Sequence, residues 1–416
     1  MNEPPRSLDE WRELAKHDAQ SWAEAVRSVV AACIEKTDTS VVSADLSASA
    51  VAGGGALAGV PYALKDLFNI RGWPTHNSSL MPDLVDHPVT DDSELVLELR
   101  RLGASCVMKT QMNEFAYGLS GENPHYGDCP HPSRPDCLSG GSSSGSAYVV
   151  GAGYLPLAFG TDTGGSIRVP SALCGIYGIR WVPGYCMGGA YPLAESFDTI
   201  GWFTRTAEDM RSVLEAWFDG GEAAFGRLRG SLLIPSGLVD AESEEVLTRA
   251  AAGLGLGEPG DAAGLLSLMP DSNKAFNVLQ SREAYALHKE RIRYYKDYYD
   301  PAVLARIQRG ALWSGEDIES AEGLRMRLAA WFEHYFSDYD FLALPVCPGA
   351  AVPPSAATPD LREKTLRLTS PASLAQLPAL TVPLMLDEKR SIGIQFIFRE
   401  VSASVPLALL ELCKTL

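Results

Sequence analysis

Between Asp136 and Arg180 the chain departs from ordinary globular sequence. Two clusters rich in Gly, Ser and Thr, SGGSSSGSA (139–147) and GTDTGGS (160–166), flank an apolar run, AYVVGAGYLPLAFG. In a linker such residues would be flexible filler. Here they alternate with apolar segments of helix and strand character, so they read as tight backbone turns inside a core. Any fold that accepts this stretch must pass main chain through close quarters, as Gly140-Gly141 ahead of Ser142 and Gly164-Gly165 ahead of Ser166 allow.

The flanking sequence places those turns among strands and helices. GVPYALKDLFNI reads as a buried strand ending near Lys65. SELVLELRRLG reads as a helix leading into a second strand, ASCVMKT, and SFDTIGWFT as a strand followed by a helix, TAEDMRSVLEAWF. At the N-terminus, Ser7 with Glu10 and Ser21 with Glu24 are spaced as capping boxes. The Ala/Gly-rich stretch 37–58 reads as loop. Long helices are expected around 278–299 and 316–337, and FLALPV and SIGIQFIF as strands, the second with alternating Ile392, Ile394, Phe396 and Phe398. Such close mixing predicts the α/β class.

At 416 residues the chain exceeds the roughly 250–300 residues at which single cores stop growing, so a large domain with embellishments, or two lobes, is expected. Lys and Arg number 35 against 52 Asp and Glu, a net charge of −17. That balance disfavours phosphate backbones and anionic membranes, so no nucleic-acid partner is expected. MNEPPRSLDEW lacks the pattern of a secretory signal, and no apolar run reaches the roughly 18 residues of a membrane span. The eight cysteines are scattered, with no zinc-like spacing, so no metal is expected. Free thiols in a reducing cytoplasm are the simplest reading, with Cys129 and Cys137 close enough to raise a disulfide question.

Three polar groups stand out: Lys65 at a strand end, Ser142 and Ser166. A serine hydroxyl is a weak nucleophile until a neighbouring base takes its proton. No His lies near either serine cluster in sequence. A lysine serves as base only when neutral, and the apolar flanks of Lys65 (Tyr62, Ala63, Leu64, Leu67, Phe68) favour the neutral amine. The competing reading pairs Lys65 with Asp66 or another acid. Thr163-Gly164-Gly165-Ser166 could turn successive N–H groups toward one point, an oxyanion hole beside the nucleophile, or be a plain turn. Gly141 to Gly145 formally matches a nucleophile elbow centred on Ser143. That would need an acid and a His downstream, where only His288 and His334 stand, both in helical, polar surroundings. No phosphate loop and no H-E-x-x-H motif occurs.

With these segments in view, the chain resembles the amidase signature family: SGGSSSGSA, GTDTGGSIRVPSALCGIYGIR and GVPYALKD stand at the family's spacing, most strongly over 58–210. The resemblance implies a single amidase domain over 1–416, with a central mixed sheet of many strands flanked by helices on both faces. Within it, 58–210 is the core, 219–340 a variable, mainly helical region shaping the substrate pocket, and 341–416 the closing strands and helix. It implies Lys65 as base, Ser142 as bridging serine after a cis peptide, and Ser166 as acyl-forming nucleophile. The N–H groups of Thr163, Gly164, Gly165 and Ser166 become the oxyanion hole, Ser120 and Gly121 border the pocket, and no cofactor is implied. SGENPHYG, GGSSSGSA and SFDTIGWF are most similar to indole-3-acetamide-hydrolase-type amidases of plants and their bacterial relatives; Ser144 stands where many members have Gly.

On this reading the protein is a serine amidohydrolase cleaving a small amide, its partner the substrate and, as an open expectation, a second copy in a homodimer. The alternatives are a glutaminase-type subunit of a tRNA-dependent amidotransferase, or a hydrolase of urea-derived amides such as allophanate. The last would need a pocket cation, for which Arg282, Lys289 and Arg306 are candidates. A non-catalytic binding protein on the same fold is disfavoured because all three triad positions hold competent residues. Asp162 and Arg168 are expected to brace the nucleophile turn as an ion pair, and Glu114, Asn123 and His125 to be satisfied loop residues.

Overall fold

A computed structural model describes residues 4–85, 87–218, 228–399 and 401–416. Residues 219–227, at the start of the span expected to shape the pocket, lie outside the described residues. Ten strands build one mixed sheet: β1 (Val42–Asp45), β2 (Pro61–Lys65), β3 (Ser105–Thr110), β4 (Leu157–Thr161), β5 (Tyr177–Arg180), β6 (Ile200–Thr204), β7 (Gly230–Leu232), β8 (Phe341–Pro345), β9 (Ala379–Met385) and β10 (Ser391–Phe398), in the order β1-β3-β2-β4-β6-β5-β9-β10-β8-β7. β2 runs parallel to both β3 and β4, and β7 parallel to β8; the remaining pairs are antiparallel.

Successive side chains of a strand leave on opposite faces. In β2, Tyr62 and Leu64 join an apolar cluster with Phe159, Trp202 and Met210. Ala63 joins another with Val26, Val30, Ala147 and Val150, from the helices Ala19–Thr37 and Ser144–Gly151. Helices therefore cover both faces, and β2, β4, β6, β8 and β10 are buried along their whole length. This is why SIGIQFIF, read from its alternation, has no solvent face: Ile397 packs in a separate apolar cluster with Leu342, Leu344 and Ala379, while Ile392, Ile394, Phe396 and Phe398 share the first.

Several local expectations differ from the structure. The stretch 37–58 contains β1, a four-residue edge strand that completes its hydrogen bonds antiparallel to β3; too short to alternate, it leaves no period in the sequence. The Ser7–Glu10 capping box forms, but Asp18 caps the second helix. The Asp18 carboxylate accepts from Gln20 N and Ser21 N, and the Ser21 hydroxyl, expected to cap, donates to it at 2.6 Å. The helix expected around 278–299 extends from Ala262 to Tyr295, running through Pro270, a residue that removes an amide donor and ordinarily marks a helix boundary. All eight cysteines are free thiols, Cys129 and Cys137 included. Among the described residues, no helix is long and apolar enough to cross a membrane.

Candidate active site

Lys65 ends β2 on the same face as Ala63, so its side chain points to the layer that holds the helix Ser144–Gly151. Ser142 sits just ahead of that helix, after a cis Gly141–Ser142 peptide. The two residues, 77 positions apart, meet with Lys65 Nζ 2.8 Å from Ser142 Oγ. Nζ also donates to Thr161 Oγ1 at 2.9 Å, from the end of the neighbouring strand β4. Lys65 is fully buried, and burial pushes its amine down to about 7 against the opposing pull of the Asp198 and Asp162 charges.

The competing pairing of Lys65 with Asp66 does not occur. Successive residues at the strand end diverge, and Asp66 is bound instead by Lys109 of β3 at 2.5 Å and by His76 Nδ1 at 3.2 Å. The amine therefore has hydroxyl neighbours and no ion pair among the described residues, which is the setting in which a neutral lysine is favoured.

Ser166 follows β4 in the loop Asp162–Ile167. The Asp162 carboxylate organises this loop: it accepts from Gly165 N (2.8 Å), Ile167 N (3.1 Å) and Arg168 N (3.3 Å). Arg168 and Arg180, both fully buried, sit on the same carboxylate at 3.0 and 3.2 Å. Burial would raise the Asp162 carboxyl, but the two guanidiniums outweigh it and hold the group well below the usual carboxylate range. The expected Asp162–Arg168 brace is present, with Arg180 as a second cation that sequence reading missed.

This bracing changes the expected oxyanion hole. The Gly165 amide is turned into the Asp162 carboxylate and is not free to receive a substrate oxygen. The N–H groups of Thr163, Gly164 and Ser166 have no protein acceptor among the described residues. Glycine is required at two points of the turn: Gly165 has φ +137°, and a Cβ on Gly164 would stand 2.5 Å from the Phe276 ring. Thr163 Oγ1 donates to Asp198 at 2.6 Å, and Asp198 also accepts from Leu193 N and Ala194 N. Burial pushes the Asp198 carboxyl up to about 6 despite these donors.

The serine loops are adjacent but their hydroxyls are not hydrogen-bonded to each other. Ser143 N donates to the Ser166 carbonyl at 3.4 Å, and the Ser143 hydroxyl is spent on Thr161 O at 3.0 Å. Ser166 Oγ has no protein partner among the described residues, and it is not one of the sealed polar atoms. Among the described residues no histidine bonds the Ser143 hydroxyl, whose partners are the Thr161 carbonyl and amide. His334 is exposed, as expected, whereas His288 is buried against Phe115, Tyr191 and Tyr299, a tertiary environment that its polar sequence neighbours concealed.

A cavity of about 460 Å³ lies beside the loops, with Gly140 and Val169 in its wall. Ser120 lines it; Gly121 stands behind, where a Cβ would be 2.8 Å from the Gly140 carbonyl oxygen. Of the three cations named above, Arg306 is in the wall, and Arg282 and Lys289 are not. Glu114, Asn123 and His125 form a satisfied loop: Glu114 accepts from Ser79 Oγ at 2.6 Å and lies 3.0 Å from His125 Nε2, while Asn123 donates to the Ser78 and Met112 carbonyls.

The family model described as amidase matches residues 13–223. The chain belongs to the amidase family. It is thus a hydrolase of carbon–nitrogen bonds. This amidase is 30% identical over 377 residues to a protein named 1-carboxybiuret hydrolase subunit from Pseudomonas sp. (strain ADP), covering 82% of its own chain and 80% of the relative. Over 153 residues it is 42% identical to an indoleacetamide hydrolase of Pseudomonas savastanoi, covering 36% of its own chain and 33% of the relative. Among solved structures it is similar to a crystal structure of an amidase, at 25% identity and a TM-score of 0.85, covering 98% of this chain and 99% of the other.

Proposed function

We propose that this amidase cleaves a small amide through an acyl-enzyme on Ser166, with Ser142 and Lys65 carrying the proton. The observation that carries the reading is the buried Lys65 amine, free of ion pairs among the described residues and 2.8 Å from the Ser142 hydroxyl. A neutral amine takes the Ser142 proton as Ser142 takes the proton of Ser166, so the attacking oxygen gains alkoxide character. The unpartnered Ser166 hydroxyl is free to turn toward Ser142 for this step. The tetrahedral oxygen is received by the Thr163, Gly164 and Ser166 amides, and losing one such donor typically costs about 3–4 kcal/mol of transition-state stabilisation. The proton returns along the relay to the leaving nitrogen, and water hydrolyses the acyl-enzyme by the reverse path. Ser120, in the cavity wall, borders the substrate, as do residues of the helical region after 228.

A second reading, a hydrolase of urea-derived amides, draws support from the 30% identity to a relative named for 1-carboxybiuret. The mechanism is tested with a serine-directed phosphonate located by mass spectrometry and with Ser166→Ala. The adduct is expected on Ser166 and turnover is expected to vanish in the variant. Near-normal ammonia release by Ser166→Ala, scored on indole-3-acetamide, malonamide, benzamide, allophanate and glutamine, would defeat it.

A further inference from the structure

The cavity that reaches Gly140 and Val169 carries three guanidiniums in its wall: Arg306 and Arg309 from the helix Pro301–Arg309, and Arg362 from the helix Pro359–Leu374. None of them has an ion pair among the described residues. Arg306 donates to the Tyr117 carbonyl at 2.7 Å, which fixes its direction without neutralising it. Two carboxylates share the wall. Glu363 lies 3.1 Å from Arg367 and is committed there, and Glu122 is exposed.

Like charges gathered around one cavity raise one another's energy. The effect is visible at Arg362, which is pushed down to about 10, first by burial and then by the charges of Arg306 and Arg309. The chain has 52 acidic residues with which to relieve that cost, and pairs many of its other arginines. A planar fork of donors matches a carboxylate bidentately, and three forks left without a protein carboxylate form a receptor for one brought by a ligand.

We infer that the substrate is an amide carrying a separate carboxylate, which Arg306, Arg309 and Arg362 hold while its amide carbonyl is presented to Ser166. This rests on the catalytic reading above and adds the substrate class to it. The apolar part of the same wall, including Leu119, Val169 and Leu173, takes the short chain between the two groups.

The test uses the full chain carrying Ser166→Ala, and matched probes: malonamate, succinamate and glutaramate against the corresponding diamides. Each pair differs only in carboxylate for carboxamide, and the three lengths vary the separation between the amide and the carboxylate. Calorimetric dissociation constants are expected to favour the carboxylate member of at least one pair by about tenfold to a hundredfold. That ratio should shrink at high salt and fall toward one in Arg309→Gln/Arg362→Gln. A ratio of one or below at every length overturns the inference, as does a preference that survives the double substitution. If the double variant does not fold, Arg309→Gln alone, at an exposed position, and the salt dependence decide the same question. Turnover by Ser166→Ala would sink the catalytic reading while leaving the binding ratio legible, so the two fail separately.

Discussion

Replacing Lys65 by methionine removes the amine and keeps a chain of similar length, so it separates a neutral catalytic base from a charged structural lysine. Burial holds the amine at about 7 against an ordinary 10.5, with Asp198 and Asp162 opposing the shift. Below pH 7 the group is protonated in both folded and unfolded chains, and the folded protein bears the full cost of the buried charge, about 5 kcal/mol. Between 7 and 10.5 the unfolded chain binds more protons here, so the contribution of this residue to stability improves as pH rises. At about pH 6 nearly the whole penalty remains, and at about pH 9 about 2 kcal/mol of it. Methionine also forfeits the hydrogen bonds to Ser142 and Thr161, at about 1 kcal/mol each. Lys65→Met is therefore expected to be inactive yet more stable than the parent by about 3 kcal/mol near pH 6, with the gain vanishing near pH 9. Urea unfolding midpoints at the two pH values read this directly. A variant less stable than the parent near pH 6 would mean that the surroundings satisfy an ammonium, and the base role would fall with it.

On the proposed relay the same amine should set the acid limb of catalysis: kcat/KM for a neutral amide should fall about tenfold per pH unit below about 7 and level off above it, because only the deprotonated form accepts a proton. A profile flat down to pH 5 would contradict this. Gly164→Ala drives a Cβ to 2.5 Å from Phe276 and displaces a proposed oxyanion donor, so kcat should drop by about a hundredfold, with partial recovery in Gly164→Ala/Phe276→Leu. Unchanged kcat in the single variant would remove Gly164 from the site. Asp162→Ala strips the carboxylate from two buried arginines and three loop amides, and should cost about 3–5 kcal/mol in unfolding experiments. A loss below about 1 kcal/mol, the size of a surface pair, would show the network to be dispensable.

The alternation of Gly/Ser clusters with apolar runs, together with one lysine in an apolar strand, was enough to put forward Lys65, Ser142 and Ser166 as candidates and to predict the α/β class, because turn chemistry and burial are local properties; the roles proposed for the three came from the family resemblance. Capping at Ser7 and the main strand positions were legible for the same reason. What remained hidden depends on partners far apart in the chain. Nothing near Lys65 says that Asp66 will turn to Lys109 across a parallel strand pair, and that choice leaves the amine without an ion pair among the described residues. Nothing in Thr163-Gly164-Gly165-Ser166 says that Asp162 will take the Gly165 amide, since the carboxylate is held in place by Arg168 and by Arg180 from another strand. Arg306, Arg309 and Arg362 converge on one cavity from two helices only once both helices have packed. Local sequence thus determined which groups could react, while long-range packing decided their charge, their hydrogen bonds and what they face, because both desolvation and pairing are properties of neighbours in space.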